Sequence, residues 1–159
     1  MKEWQGSSRP AGCRFAIVVS RFNPEITDGL LAGAREALSE AEVRDDDVTL
    51  VRVPGAFELP IAAQRLAESG RFDAVICLGC LIKGDTMHFE YIADAATRGL
   101  AEVGLATGVP VTFGVLTTLT DEQAEVRARP GEGNKGREAA VAAVEMATLL
   151  RSIDGGPAA

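Results

Sequence analysis

The chain has 159 residues, of which 47% are hydrophobic and 25% charged, with a formal net charge of -7 and a sequence pI near 4.8. This size and balance suit one globular domain whose hydrophobic core needs neither disulfides nor metal, and the negative mean field disfavours nucleic acid and anionic membranes as partners. No stretch reaches the roughly 20 apolar residues of a membrane span, and MKEWQGSSRPAG lacks the apolar stretch of a signal peptide, so a cytoplasmic location is expected.

Residues 1–13 show no periodic pattern and are expected to form a flexible segment ahead of a single domain over 14–153, with a flexible tail over 154–159. The first apolar run is RFAIVVS (14–20). Asn23-Pro24-Glu25 then supplies an N-cap and a proline at the first helical position, and Ile26, Leu30, Ala34, Ala37 and Leu38 share one face of a helix predicted over 24–41. A second run, DVTLVRV (47–53), precedes a helical pattern over 59–69. A third, DAVICLGCLI (73–82), precedes one over 87–106, and a fourth is PVTFGVLTT (110–118). Thr120-Asp121-Glu122-Gln123 has the form of a capping box, and Asn134 can cap a last helix reaching about Ser152.

All four runs are nearly unbroken, not alternating, and predict strands buried on both faces. Strand, helix, strand at this rhythm implies parallel pairing through right-handed crossovers. The expected class is therefore a three-layer α/β/α sandwich around a four-stranded parallel sheet.

Three cysteines, Cys13, Cys77 and Cys80, suit a reducing compartment. Cys77 and Cys80 match the C-x-x-C redox spacing, but they lie within a strand, where positions i and i+3 face opposite sides about 10 Å apart. They are expected to be buried small hydrophobes.

In open α/β sheets the ligand lies beyond the carboxyl ends of the strands, and here those ends are Ser20-Arg21-Phe22-Asn23, Val53-Pro54-Gly55-Ala56-Phe57-Glu58 and Lys83-Gly84-Asp85-Thr86-Met87-His88. Gly79 to Gly84 has the G-x-x-x-x-G spacing of a P-loop, with Asp85 in place of its lysine. An acid there repels a triphosphate, yet the strand-to-helix turn still offers backbone N–H groups and a positive dipole end to one phosphate. His88 is the only histidine. In the first turn of the next helix the dipole favours its neutral, basic form, suited to proton transfer; a surface or structurally satisfied histidine is the alternative. Phe22 and Phe57 fall in strand-end loops, which suggests a flat apolar slot for a planar heterocycle, with Glu58 near polyol or amide hydrogens; packing is the competing account. Cations for an anionic ligand would come from Lys83, Arg127, Arg129 or Lys135, among which spacing does not choose.

Taken together, SRFN (20–23), VPGAFELP (53–60), LGCLIKGDTMHFEY (78–91), FGVLT (113–117) and NKG (134–136) closely resemble the lumazine synthase family, in order, over about residues 14–150. The resemblance implies a flavodoxin-like fold and an enzyme of riboflavin biosynthesis, a transferase that joins 5-amino-6-(D-ribitylamino)uracil to 3,4-dihydroxy-2-butanone 4-phosphate without metal or organic cofactor. It implies that Phe22 stacks on the pyrimidine, that Ala56, Phe57 and Glu58 hold the ribityl chain, and that Leu81 and Ile82 bind the ring edge through their backbone. Gly84, Asp85 and Thr86 would take the phosphate and His88 would move protons, with Asn23 and Cys80 completing the binding set. It further implies homopentamers, or multiples up to sixty-subunit icosahedral shells, with Phe113, Arg127 and Lys135 supplied by the neighbouring subunit, and a functional link to riboflavin synthase. Two departures stand out: Lys83 where many members carry arginine, and an acidic, proline-bearing loop over Ala128–Gly133. A flavodoxin-like receiver domain would need clustered acids after the first strand, which SRFN lacks. A non-catalytic shell-forming or flavin-binding relative is the remaining alternative.

Overall fold

A computed structural model describes residues 1–155; the rest of the expected tail, 156–159, lies outside the described residues. Four parallel strands, β1 (Phe15–Ser20), β2 (Val48–Val53), β3 (Ala74–Ile82) and β4 (Val111–Thr118), form one sheet in the order β2-β1-β3-β4. The helices are α1 (Pro24–Glu40), α2 (Leu59–Glu68), α3 (His88–Thr107), α4 (Asp121–Ala128) and α5 (Lys135–Ile153). Each predicted strand and helix is present within one residue of its expected ends where both ends were given.

Alternation along the strands divides the core. Phe15, Ile17 and Val19 of β1 pack with α1, α4 and α5, whereas Ala16 and Val18 pack with α2 and α3. The three-layer arrangement follows, with helices on both faces of the sheet. Cys77 falls in the second of these cores and Cys80 in the first. Burial pushes their thiols up to about 12 and about 11 respectively, far from the lowered values of reactive thiolates.

Burial on both faces holds for β1, entirely buried, and for β3, buried from Ala74 to Cys80. It fails for β2 and β4, where Leu50 is 42% and Phe113 45% exposed. The order of the strands supplies the reason: β2 and β4 are edges, each with one neighbour and incomplete helical cover.

Residues 6–11, read from the sequence as part of a loose segment, run along α5. Ser7 N–H donates to Thr148 Oγ1 at 2.8 Å, and Arg151 donates to the Ala11 carbonyl at 2.8 Å. Gly6 approaches α5 so closely that a Cβ there would lie 2.1 Å from the Glu145 carbonyl oxygen. Pro10 and Cys13 are buried.

Among the described residues no helix is long and apolar enough to cross a membrane.

Candidate functional site

The loops after β1, β2 and β3 converge because backbone bonds continue beyond the strands. Arg21 N–H donates to the Val53 carbonyl at 2.8 Å, Phe22 N–H to that of Pro54 at 3.2 Å, and Lys83 N–H to that of Thr118 at 2.9 Å. Asn23 occupies the N-cap position of α1 with Pro24 inside it, but its side chain does not cap as the sequence suggested. Its backbone is left-handed (φ 57°, ψ 60°), a conformation asparagine tolerates. The Nδ2 group turns away from the helix and donates to the Cys80 carbonyl at 3.0 Å. The loop bearing Phe22 is thereby tied to the end of β3.

Above these tied loops lies a cavity of about 570 Å³. From the β1 end it is lined by Phe22 and Asn23, and from the β2 end by Ala56, Phe57 and Glu58. Cys80, Leu81 and Ile82 border it from β3, and Gly84, Thr86 and His88 from the turn into α3. Phe22 is 70% and Phe57 59% exposed. Neither is absorbed into the core, so the packing account of these phenylalanines fails and two aromatic faces stand at the mouth of one cavity. Glu58 is half-buried, and its Oε2 accepts from Gly55 N–H at 3.0 Å. That bond fixes the 3₁₀ turn Ala56–Glu58 and leaves the other carboxylate oxygen for a ligand.

His88 is the first residue of α3 and exposed, and its backbone N–H donates to Thr86 Oγ1 at 3.4 Å. Lys83 to Met87 form an irregular, exposed turn in which Asp85 projects outside the cavity lining. Lys83 is paired with Glu90 at 3.5 Å across the start of the helix. This cavity thus combines aromatic surface, one imidazole and an irregular backbone turn at the start of α3, and the acidic side chains on its lining are Glu58 and Asp121, with no lysine or arginine among them.

Phe113, Arg127 and Lys135 lie elsewhere. They line a second cavity, of about 390 Å³, against the exposed edge and face of β4. Arg127, in the last turn of α4, donates one guanidinium N–H to the Gln123 carbonyl at 2.9 Å. Lys135 begins α5 and pairs with Glu138 at 2.8 Å. Arg129, just past α4, lines neither cavity. Thr120 caps α4 as expected, accepting from Gln123 N–H at 3.2 Å. The return bond differs by one residue: Gln123 Oε1 accepts from Leu119 N–H at 2.9 Å.

Four lining residues of the first cavity were not among the expected site residues: Gly55, Phe89, Ile92 and Asp121. Ile92 carried a usable signal, because it follows His88 by one helical turn and shares its face. Asp121 carried none, since it is brought in only by the adjacency of β3 and β4.

The family model for 6,7-dimethyl-8-ribityllumazine synthase matches residues 12–151. The chain belongs to the 6,7-dimethyl-8-ribityllumazine synthase family. It is 50% identical over 150 residues to the 6,7-dimethyl-8-ribityllumazine synthase of Xanthomonas euvesicatoria pv. vesicatoria (strain 85-10), covering 94% of this chain and 97% of that protein. It is likewise 50% identical over 153 residues to the protein of that name from Xylella fastidiosa (strain M12), covering 96% and 99%. All five motifs that suggested the lumazine synthase family fall inside the matched segment, and the parallel α/β fold agrees with that membership.

Proposed function

We propose that this chain condenses 5-amino-6-(D-ribitylamino)uracil with 3,4-dihydroxy-2-butanone 4-phosphate to give 6,7-dimethyl-8-ribityllumazine, phosphate and water. The observation that carries this reading is the gathering of two exposed aromatic rings, Phe22 and Phe57, and the single histidine around one cavity at the carboxyl ends of the strands, in a chain of this family. A planar pyrimidine stacks on Phe22. Its ribityl chain runs along Ala56–Glu58, where the free carboxylate oxygen accepts hydroxyl hydrogens, and Leu81 and Ile82 offer backbone groups to the ring edge. Asn23 and Cys80 contribute through the bond that joins their loops. Gly84, Asp85 and Thr86 form the turn that receives the phosphate.

The chemistry asks for protons to be moved. The 5-amino group adds to the ketone and water leaves to give an imine. Loss of the proton on the hydroxyl-bearing carbon and departure of inorganic phosphate from the next carbon leave an enol; proton transfer to its terminal carbon makes a methyl ketone, and the second amine closes the ring on that new carbonyl with loss of another water. His88, at the edge of the phosphate turn, takes and returns these protons. Holding both substrates in one cavity supplies much of the remaining acceleration.

The divided arrangement of charge supports an assembly in which one subunit's second cavity faces the first cavity of the next. Phe113, Arg127 and Lys135 then close the site from the neighbour, with Arg127 on the phosphate. Homopentamers, or their multiples up to sixty-subunit icosahedral shells, would provide such junctions. The product is an intermediate of riboflavin biosynthesis in the cytoplasm, to be consumed by riboflavin synthase.

The test is to mix purified protein with the two substrates and follow lumazine absorbance. Turnover well above the spontaneous condensation is expected, whereas a rate equal to the background would make the chain a non-catalytic relative.

A further inference from the structure

Between Arg127 and Lys135 sits a buried amide that the proposed chemistry does not use. Asn134 is 1% exposed. Its Oδ1 accepts from Arg137 N–H at 3.0 Å, the N-cap bond of α5. Its Nδ2 faces three carbonyl oxygens at once: Ala128 at 2.9 Å, Arg129 at 3.1 Å and Gly29 at 3.1 Å. One side chain therefore joins the end of α4, the start of α5 and the middle of α1.

The surroundings are built around that amide. A Cβ on Gly33 of α1 would lie 2.1 Å from Asn134 Oδ1, and one on Gly136 would lie 1.9 Å from the Leu30 carbonyl oxygen. Only glycine lets α1 approach α5 this closely. A simple N-cap requires the acceptor alone, and serine or aspartate supplies it as well as asparagine does. Capping does not account for the donor side, whose two hydrogens are shared among three carbonyls, two of them on the residues immediately following Arg127.

We infer that Asn134 is a positioning residue that sets Arg127 and Lys135 at a fixed separation, so that the two cations act as one anion-binding unit. Arg127 precedes Ala128 in the last turn of α4, and Lys135 follows Asn134 as the first residue of α5. Both line the cavity at β4. A fixed separation between their charges depends on the link between the two helix ends, and the intervening loop, with Pro130, Gly131 and Gly133, is exposed. The inference rests on the proposal that this cation pair meets the phosphate of the substrate.

Asn134→Ser keeps an acceptor for the Arg137 N–H and removes the Nδ2 bonds; Asn134→Thr does the same while filling more of the space. The assembled enzyme is assayed for the KM of each substrate, and inorganic phosphate is used as a competitive probe of the cation pair. Expected for Asn134→Ser is a KM for the phosphate substrate raised roughly 10-fold, the scale of a misplaced binding group, and inhibition by inorganic phosphate weakened to match. The KM for the pyrimidine should stay within about 2-fold, since its groups lie on other loops. In an Arg127→Ala background the same substitution should add little, because its effect passes through that arginine. Asn134→Thr should show the same split if the serine variant is poorly folded. Equal rises in both KM values, a lowered thermal midpoint with unchanged KM, or full additivity with Arg127→Ala would overturn the inference. If Arg127→Ala and Lys135→Ala themselves leave the phosphate KM unchanged, the phosphate assignment fails as well; if they raise it and Asn134→Ser does not, only the positioning role fails.

Discussion

The two cavities that hold the expected site residues are complementary in what each lacks. The one above β1, β2 and β3 has aromatic faces, a histidine and the turn proposed to receive the phosphate, but no lysine or arginine on its lining. The one at β4 has Arg127 and Lys135 but no histidine, and its aromatic residue is Phe113 on an edge strand. In a chain of net charge -7 an anionic substrate needs cations placed close to it. The contrast teaches that neither region alone supplies all the groups the proposed reaction asks for. Substitutions confined to one cavity should therefore affect one substrate or one step, and their pattern separates the two regions.

The largest effect is expected at the histidine. His88→Ala should slow turnover by roughly 10- to 1,000-fold with little change in either KM, the size of a lost general acid–base group. An unchanged rate in steady-state assays would remove His88 from the mechanism. Next comes the β4 region. Arg127→Ala should raise the KM of the phosphate substrate roughly 10- to 150-fold, the equivalent of the 1.5–3 kcal/mol carried by a hydrogen bond to a charged group. A KM shift confined to the pyrimidine would contradict the division. Phe22→Ala should raise the pyrimidine KM by about 2- to 13-fold, matching an aromatic stacking contact of about 0.5–1.5 kcal/mol. Titration of pyrimidine binding by fluorescence should show the same loss, and the phosphate KM should be unmoved.

The smallest effect belongs to the frame that carries the cations. Arg137, near the start of α5, pairs with Glu40 at the end of α1 and with Glu132 of the acidic loop. Its hydrogen bond holds the Glu40 carboxyl below the usual carboxylate range. A group depressed in the folded state stabilises the fold above its unfolded pKa and loses that contribution as pH falls through the folded value. Glu40 is exposed even though the Arg137 side chain is largely covered, so the contribution is small. The thermal midpoints of wild type and Glu40→Gln should differ near neutral pH and converge as acidification protonates the Glu40 carboxylate. A gap that stays constant on acidification would show that the pair does not titrate with folding.

Much of this architecture was legible because buried parallel strands write continuous apolar runs and each run ends in loop residues of different character. β1 and β3 behaved as their runs predicted. β2 and β4 did not, because being an edge depends on strand order, which local pattern does not encode. Of the twelve expected site residues from Phe22 to His88, nine were readable as strand ends, whereas Cys80, Leu81 and Ile82 lay inside the third run and came in through the family resemblance; the structure draws all twelve but Asp85 onto one lining. Asn23 was misjudged as a side-chain cap because local rules assume an extended backbone at that position, whereas its left-handed backbone sends the amide to Cys80. The course of residues 6–11 was hidden for another reason: the bond from Ser7 to Thr148 spans 141 positions, beyond any periodicity. Asn134 was visible as a cap, but the three carbonyls it joins come from segments that only the folded chain assembles.

The claim that the two cavities are halves of one site is tested most directly by complementation. His88→Ala and Arg127→Ala chains are unfolded together and refolded as mixed assemblies, then assayed at low concentration of the phosphate substrate. If the halves meet across a head-to-tail interface, about a quarter of the junctions in a random equal mixture pair an intact His88 with an intact Arg127, and activity should rise to about that fraction of wild type. If each chain works alone, activity stays at the mean of the two parents, and the account of a shared site is wrong.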